Sequence, residues 1–423
     1  MKRSLYIIIG IVVLILIVAV VFWFVRGQSS PAATTTTGAG SLPSTGTQGS
    51  STGGNIGGSL PATGVTEGNG SGTSFGLVSN EPALSYFVDP QNDVDVVEPN
   101  GEVAEIANGQ NGQANFLSSS QIQSLITAGF SYDGAKAFVN FGVPANPQTS
   151  VFDMTAKAWT PLAAGIVSPV WSPADYRIAY LATNANGSVT LTTLDISKAG
   201  NKPVALVTLA AQDLTLAWPT KNVIVLTDRP SAYSLGTMWF YNLSTKALTP
   251  AATPAYGLVA AWSATTKPVA VMWGSGASGR GGGFSLVGAL GTSTQTTAQS
   301  LNFLTLPSKC TFNTETEPVA TPTPSVATTT PKATPTPAPQ TYLALYCAVP
   351  ANQSALSSVP MPDTYDQMSL FTSDNFYRIH TDTGVTDAVL LPTGSYDATD
   401  LHVFNNILFF VNRYDQKLYA ISL

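Results

Sequence analysis

A glycine-rich motif is the first stretch of the sequence whose residue types suit ligand chemistry. Residues 274–279 read GSGASG, which fits the G-x-G-x-x-G pattern and directly follows the apolar run PVAVMW. A dinucleotide site also needs a helix whose N-terminus faces the pyrophosphate, and an acidic residue about twenty positions further on. Here RGGGFSLVG follows, and no acidic residue occurs between Asp228 and Glu315. We therefore interpret the motif as a loop between two strands and expect no cofactor.

Histidines and carboxylates offer the next chemical possibilities, which are catalysis and metal binding. His380 and His402 are the only histidines, and the patterns of a histidine-based zinc site or a Ser-His-Asp triad do not occur around them. A group of closely spaced acids consists of Asp89, Asp93, Asp95 and Glu98. These could collect a calcium ion, but alternation along a strand sends successive side chains to opposite faces. We interpret them as an acidic, solvent-facing hairpin and predict no catalytic or metal-binding residue.

The chain contains two cysteines, Cys310 and Cys347. They closely bracket a Pro- and Thr-rich stretch, residues 314–340, whose composition favours an extended, polyproline-like arm. In an oxidising compartment the two thiols would form a disulfide that pins the base of this arm. Two buried thiols are the alternative.

Four segments of the chain share one pattern. They read FSYDGAKAFVNF from Phe130, WSPADYRIAYLA from Trp171, WPTKNVIVLTD from Trp218 and WSATTKPVAVMW from Trp262. Each has an aromatic residue, a short polar turn and an apolar strand, and the leading aromatics are 41, 47 and 44 residues apart. Further short strands follow each segment, which indicates hairpins and an all-β fold. Four short strands in about 40 to 45 residues predict the blade of a β-propeller.

The first two of these segments resemble the W-S-P-D-G-x-x-I-A-F repeat of TolB-like, WD-type β-propellers. The residues that carry the repeat pattern are Phe130, Asp133, Gly134, Trp171, Pro173, Trp218 and Trp262. The resemblance implies structural roles for these residues and identifies no binding residue. It also implies protein-protein interaction at the cell envelope, because TolB-type propellers dock peptide segments of their partners at one mouth of the ring.

Weaker copies of the repeat extend over residues 75–423 and favour about seven four-stranded blades. The last copy, from Asp400, ends after its third strand. A closed ring then needs a fourth strand from the start of the domain, and residues 74–79 are the candidate. The sixth copy is interrupted by the Pro- and Thr-rich insertion.

The N-terminal residues predict a membrane anchor. After a cytoplasmic tail of residues 1–4, residues 5–25 form an unbroken apolar run of 21 residues, which is long enough to cross a bilayer. Lys2 and Arg3 precede the run, which places the N-terminus in the cytoplasm and the rest of the chain outside. Residues 27–74 are almost wholly Gly, Ser, Thr, Ala and Pro, which predicts a flexible tether. A cleaved signal peptide is the alternative, but its apolar core is usually shorter.

Charge is sparse and unevenly distributed along the chain. Only 10% of the residues are charged and the net charge is −6, which argues against a nucleic-acid-binding protein. Acidic residues cluster between Glu81 and Glu105. A later stretch, residues 229–314, contains no acidic residue. Its basic residues are Arg229, Lys246, Lys267, Arg280 and Lys309. These stretches fall on opposite sides of a seven-bladed ring, so we expect one side of the ring to be acidic and the other basic. This polarity either steers a charged partner or is an accident of a sparsely charged surface.

These observations predict a single-pass membrane protein that displays a non-catalytic propeller outside the cell. We expect it to be a platform for envelope or surface proteins, or for glycans, with the loops after the inner strands as the contact surface. The alternative is a propeller enzyme that cleaves glycosides or lactones at the mouth of the ring. An enzyme predicts convergent carboxylates or a metal site in the channel, whereas a platform predicts an uncharged or apolar mouth.

Overall fold

The computed structural model describes the chain from Ser74 to Leu423 with short gaps. The described residues are 74–107, 113–144, 146–198, 200–211, 213–265, 268–276, 282–287, 299–317 and 340–423. The predicted cytoplasmic tail, membrane anchor and tether lie outside the described residues, except for Ser74. In the described part of the chain, no helix is long and apolar enough to cross a membrane.

The strands form seven antiparallel sheets, and each sheet is one blade of a ring. The first strand is β1 (Phe75–Pro82), which belongs to blade 7. Blade 1 contains β2 (Ser85–Val88), β3 (Val94–Val97), β4 (Val103–Ile106) and β5 (Ala114–Ser118). Blade 2 contains β6 (Leu125–Phe130), β7 (Lys136–Val143), β8 (Asn146–Asp153) and β9 (Ala158–Pro161). Blade 3 contains β10 (Ile166–Trp171), β11 (Arg177–Thr183), β12 (Val189–Asp195) and β13 (Val204–Leu209).

The remaining blades carry the additions to this plan. The next strands are β14 (Leu214–Thr220), β15 (Val223–Asp228), β16 (Leu235–Gly236), β17 (Met238–Asn242) and β18 (Leu248–Pro250). Of these, β14, β15, β17 and β18 form blade 4, whereas β16 pairs with blade 5. Blade 5 contains β19 (Ala255–Trp262), β20 (Ala270–Ser275), β21 (Gly283–Val287) and β22 (Gln299–Ser300). Blade 6 contains β23 (Cys310–Glu317), β24 (Gln340–Pro350), β25 (Asp374–His380) and β26 (Thr386–Leu390). A 3₁₀ turn (Pro307–Lys309) precedes β23, and two short helices, α1 (Ser354–Ser358) and α2 (Asp363–Asp366), lie between β24 and β25.

Blade 7 closes the ring. It combines β27 (Ala398–Phe404), β28 (Ile407–Asn412) and β29 (Lys417–Ser422) with β1 from the other end of the domain. Phe75 of β1 lies opposite Ile421 of β29, and Leu77 lies opposite Tyr419. The predictions of an all-β, seven-bladed propeller and of a closing strand at residues 74–79 are confirmed, and this strand continues to Pro82.

The apolar core of the propeller lies between the blades. A separate cluster of buried apolar side chains fills each space between neighbouring sheets. The second strand of a blade is covered on both faces, so residues are buried at consecutive positions, as in β15 and β28. The outermost strands β9 and β18 are largely exposed. The repeat pattern was readable in the sequence because this burial recurs in every blade.

The disulfide and the insertion lie at opposite ends of one hairpin. Cys310 and Cys347 form a disulfide and are directly opposite each other on β23 and β24. The two strands stay paired as far as Glu317 and Gln340, so both ends of the predicted insertion are strand. Residues 318–339 lie outside the described residues. The disulfide is present, and seven further residue pairs extend from it to Glu317 and Gln340, so the paired strands continue into the predicted insertion.

The alternating direction of the strands gives the ring two different mouths. One end of the ring carries the connections between blades and the loops between the second and third strands of each blade. We call this end the upper mouth. The lower mouth carries the turns between first and second strands and between third and fourth strands. Because β1 runs from the lower to the upper mouth, the described chain enters the ring at the lower mouth, at Ser74.

Val78 of the closing strand offers a test of ring closure. Its side chain is completely buried among strands of blades 7 and 1, so Val78→Ala should lower the free energy of unfolding by about 2 kcal/mol. Gly76→Ala is the matched control on the same strand, because an added methyl group there meets open space. Equal stability of the two variants in chemical denaturation would contradict the assignment of β1 as an integral strand.

Candidate functional site

A long loop covers part of the upper mouth. Residues 351–373 connect β24 to β25 in blade 6 and include α1 and α2; we call them the cap. Leu356, Met361 and Tyr365 of the cap are buried together with Trp273 of blade 5. The cap therefore has an apolar core of its own, which fastens it to blade 5 as well as to blade 6.

Polar contacts extend the cap to blade 4. The carboxylate of Asp363 accepts hydrogen bonds from Ser231 Oγ at 3.0 Å and from the backbone N–H of Ala232 at 2.5 Å. Gly257 in β19 has a φ of +65°, and a Cβ at this position would lie 2.4 Å from the carbonyl oxygen of Met361. A side chain at residue 257 would therefore force the cap away from blade 5.

A buried lysine fixes the cap to blades 6 and 7. Lys309 has no exposed surface. Its Nζ donates hydrogen bonds to Asp374 Oδ2 and to Asp397 Oδ1, each at 2.5 Å, and to Thr372 Oγ1 at 2.9 Å. Thr372 belongs to the cap, whereas Asp397 precedes the first strand of blade 7. One ammonium group thus joins three segments of the upper mouth.

A second cation completes this buried charge cluster. Arg413 Nη1 donates to Asp397 Oδ2 at 2.9 Å, and Nη2 donates to the carbonyl oxygen of Tyr365 at 2.6 Å. The guanidinium carbon lies 3.5 Å from the centroid of the Tyr365 ring, within the range of a cation–π contact. The Tyr365 hydroxyl also donates to Asp397 Oδ1, at 3.0 Å. The two cations balance Asp374 and Asp397, and Tyr365 ties the cap to them.

The charge cluster is suited to hold structure and not to react. Burial alone would lower the pKa of Lys309, but the nearby Asp374 carboxylate, with further help from Asp397, raises this pKa well above its usual range. The ammonium group therefore stays protonated and cannot act as a nucleophile or base. Burial raises the pKa of Tyr365 to about 12, so this hydroxyl remains a neutral donor.

The upper mouth also contains a groove on blades 2, 3 and 4. Its volume is about 360 Å³, and its wall combines apolar and polar surface in similar amounts, with Ile126, Val167 and Leu216 among the apolar lining residues. Asp213 and Arg229 are the charged side chains of the described lining. Arg229 Nε lies 3.6 Å from Asp213 Oδ1, and the two side chains are 69% and 64% exposed. Such an exposed, long ion pair is weak, so both groups can rearrange toward a partner.

Exposed apolar side chains are concentrated around the same mouth. Seven of the twelve large exposed apolar residues in the described part of the chain lie there: Ile126, Val143, Tyr233, Leu235, Met368, Phe371 and Tyr414. Phe371 of the cap and Tyr414 of blade 7 stack with their ring centroids 5.2 Å apart. The stacked rings of Phe371 and Tyr414 therefore form an exposed apolar contact on the cap side of this mouth.

A second cavity lies between the innermost strands of blades 7, 1 and 2. Its volume is about 390 Å³. Aromatic rings make up much of its wall, and they belong to Tyr86, Phe87, Phe130 and Phe404. Asp400 and His402 are its charged side chains among the described residues.

The aromatic residues predicted to head the repeats lie at the lower ends of the innermost strands. Phe130, Trp171 and Trp262 are the last residues of β6, β10 and β19, and Trp218 lies near the end of β14. The indole N–H of Trp171 donates to the carbonyl oxygen of Gly129 in the neighbouring blade, at 2.7 Å. Pro173 lies in the turn that follows Trp171. In this part of the ring, a motif aromatic connects adjacent blades.

Asp133 and Gly134 also connect blades, at the lower mouth. Asp133 accepts hydrogen bonds from Ser131 Oγ at 2.8 Å and, across to blade 3, from the Tyr176 hydroxyl at 2.6 Å. Gly134 has a φ of +73°, and a Cβ there would lie 2.3 Å from the ring of Phe87 in blade 1. No other residue fits this turn without moving the neighbouring blade.

Three serines of the repeat were missed by the sequence reasoning. Ser131, Ser172 and Ser263 directly follow a motif aromatic and are buried. Each donates its backbone N–H across the lower turn in a hydrogen bond of 2.8 Å. The letters FS, WS and WS at the start of three repeats were the signal that could have identified them.

The glycine-rich motif starts within a blade strand, since Gly274 and Ser275 are the last residues of β20. Gly274 in β20 lies opposite Gly283 in β21, so the motif begins a connection between two strands of one blade. Residues 277–281 lie outside the described residues.

The acidic hairpin of blade 1 is only partly solvent-facing. Asp89 accepts hydrogen bonds from the backbone N–H groups of Gln91 and Asp93, both at 2.8 Å, and so shapes its own turn. Glu98 is buried, which contradicts the prediction for this residue. Within the described residues, no group of three or more His, Cys, Asp or Glu side chains is placed to hold a metal ion.

The expected polarity of the ring is weakened by Lys309. This residue was counted as a surface cation, but it is buried and neutralised by Asp374 and Asp397. Lys267 and Arg280 lie outside the described residues. The buried cluster was not predicted because nothing in the sequence brings Lys309, Asp374 and Asp397 together.

Comparisons with known proteins agree in fold only. No protein-family model and no curated protein matches the chain. Tricorn protease is 10% identical with a TM-score of 0.47, and the match covers 84% of this chain and 34% of that one. The β-propeller domain of the Trilobed protease from Pyrococcus furiosus is 10% identical with a TM-score of 0.43, and the match covers 80% of this chain and 91% of that one. TolB from Acinetobacter baumannii is 10% identical with a TM-score of 0.34, and the match covers 84% of this chain and 65% of that one. The chain thus spans about a third of tricorn protease, and likenesses this distant carry no information about function.

Removal of the Lys309 ammonium group should loosen the cap. Lys309→Met leaves two buried carboxylates with only Arg413 to balance them, so the free energy of unfolding should fall by about 3–5 kcal/mol. Hydrogen exchange in residues 351–373 should rise with it. The exposed Lys198→Met is the control, with an expected change within about 0.5 kcal/mol. Unchanged exchange in the cap of Lys309→Met would contradict a fastening role.

Asp95 should make the propeller more stable at acidic pH. Partial burial raises the pKa of Asp95 to about 7, and repulsion from Glu105, directly opposite on β4, adds to this effect. The unfolded chain loses this proton near pH 4, so stability falls as the pH rises from about 4 to about 7. At pH 8, Asp95→Asn should raise the free energy of unfolding by on the order of 1–2 kcal/mol, and at pH 4 by nearly nothing.

The exposed Asp382 supplies the control for this pH dependence. Asp382→Asn should change the free energy of unfolding little at either pH. A gain for Asp95→Asn that is the same at pH 4 and pH 8 would show that proton binding at residue 95 is not its cause.

Proposed function

We propose that this chain is a membrane-tethered, non-catalytic propeller platform that binds protein partners outside the cell through its upper mouth. The observation that carries the proposal is the groove on blades 2, 3 and 4, whose wall combines apolar and polar surface, together with the exposed apolar side chains at the same mouth. Apolar contact area with a few adaptable charges at its edge is what a protein partner needs. Glycans remain the second class of partner for this surface.

The direction of the chain supports the choice of mouth. The described chain enters the ring at the lower mouth, at Ser74, and the hairpin that leads to residues 318–339 also points there. A tether that leaves from the lower mouth keeps the upper mouth free for a partner. The proposal therefore places the contact surface at the loops before the inner strands and not, as the sequence suggested, at the loops after them.

The anchored location rests on the N-terminal sequence. The apolar run at residues 5–25, with Lys2 and Arg3 before it, supports an anchor whose N-terminus stays in the cytoplasm. The disulfide between Cys310 and Cys347 fits an oxidising exterior. The alternative of a sugar- or lactone-cleaving enzyme would need acidic groups that face each other. Among the described residues, each of the two cavities has one carboxylate in its wall, Asp213 or Asp400.

Two substitutions of exposed apolar residues test the mouth assignment. Ile126 lies at the groove and is 43% exposed, whereas Val385 lies at the lower mouth and is 54% exposed. We expect Ile126→Arg to reduce, about tenfold or more, the recovery of surface proteins in cross-linking from the extracytoplasmic side, because it buries a charge in the contact. Val385→Arg should leave recovery unchanged.

The outcome of this comparison is decisive in both directions. Equal recovery by the two variants and the unmodified full chain would contradict a contact at the upper mouth. Loss of recovery with Val385→Arg alone would move the contact to the lower mouth. Both variants change exposed positions, so their unfolding transitions should match that of the unmodified chain.

A further inference from the structure

The cavity between blades 7, 1 and 2 has the size and wall of a small-molecule site. Its volume of about 390 Å³ lies within the range of ligand pockets, and rings of Phe87, Phe130 and Phe404 line it. Aromatic walls with a small number of polar groups are typical of such sites. The polar side chains of the wall are Ser85, Tyr86, Asp400 and His402. No residue of the upper groove lines this cavity.

A β-bulge brings the polar pair to the cavity wall. The pairing of β27 with β28 shifts between Thr399 and His402, and Asp400 has a φ of +52°. The Tyr86 hydroxyl donates to the carbonyl oxygen of Asp400 at 2.6 Å and so holds the bulge. Aspartate tolerates this φ better than most residues, and a bulge changes the direction of the side chains beside it. The bulge thus places Asp400 and His402 side by side.

Asp400 and His402 lie side by side as one polar pair at the cavity wall. His402 Nε2 lies 3.3 Å from Asp400 Oδ1, and the imidazole ring stands edge-on to Tyr86. Asp400, His402 and Tyr86 are the ionisable groups of the described wall, and β6 contributes none. A cation that approached Asp400 would meet a carboxylate that already has the His402 imidazole as its neighbour.

The two side chains still present polar atoms to the cavity. Their exposed fractions are 57% for His402 and 42% for Asp400, so neither is closed off by its partner. A hydroxyl group can donate a hydrogen bond to a carboxylate and accept one from an imidazole N–H. An ammonium group can only donate, and a carboxylate can only accept.

We propose that this cavity binds a small, uncharged ring compound that carries a hydroxyl group. The ring lies against Phe87, Phe130 and Phe404, and the hydroxyl bonds to Asp400 and His402. This site is separate from the upper groove and does not depend on the platform function.

Three probes that share a 4-methylphenyl ring and differ in its polar substituent test the proposal: 4-methylphenol, 4-methylbenzylamine and 4-methylbenzoate at pH 7. The chain has two histidines, so the imidazole NMR signals of the full chain report His402 directly, with His380 as an internal reference. His380 stacks on Tyr342 outside the cavity. We expect 4-methylphenol to shift the His402 signals alone and to bind about tenfold more tightly than either ion.

Asp400→Asn tests the partner of the hydroxyl. Asparagine has nearly the same shape and tolerates a positive φ, so the bulge is kept. The substitution should weaken the binding of 4-methylphenol about tenfold, whereas the matched control His380→Gln should leave it unchanged. Undiminished binding to Asp400→Asn, tighter binding of either ion, or a response of the His380 signals would overturn the proposal.

Discussion

The shape of the upper mouth depends on the ammonium group of Lys309. It joins the connection before blade 6, the cap, and the start of blade 7, which are far apart in the sequence. Without this cation, the carboxylates of Asp374 and Asp397 would lie buried near each other with Arg413 alone to balance them. The cap is therefore held over one side of the mouth, and the groove on blades 2, 3 and 4 lies in the remaining part. A buried charge cluster thus determines which part of the upper mouth is covered by the cap.

The two mouths of the propeller differ in how regular their loops are. The lower mouth is built from similar short turns, in which an aromatic residue, a buried serine and, in blade 2, Asp133 and Gly134 connect one blade to the next. The upper mouth carries the irregular features, which are the cap, the short strand β16 and the groove. Regular contacts on one side leave the other side free to vary. Because the repeat motif lies at the lower mouth, it gave little information about the candidate interaction surface at the upper mouth.

The propeller was predictable from the sequence, whereas the candidate sites were not. The repeat depends on contacts between residues that are close in the chain, such as Phe130, Asp133 and Gly134, so each copy carries its own signal. The closing strand was predictable because the last copy is one strand short. Lys309 was read as a surface charge because its partners, Asp374 and Asp397, are distant in sequence and meet only in the closed ring. The same is true of Tyr86 and Asp400, whose contact crosses the junction between the last blade and the first.

Ring closure by β1 also fixes an order of events during synthesis. Phe75 leaves the ribosome long before its partner Ile421 exists. Throughout that interval β1 has no strand to pair with, and the outer faces of the first and last completed blades have no neighbour. An unpaired strand and an uncovered apolar face are hazards for association with other chains. A nascent propeller of this kind therefore benefits from a polar stretch immediately before β1, and the residues from Gly27 to Ser74, almost free of large apolar side chains, supply one.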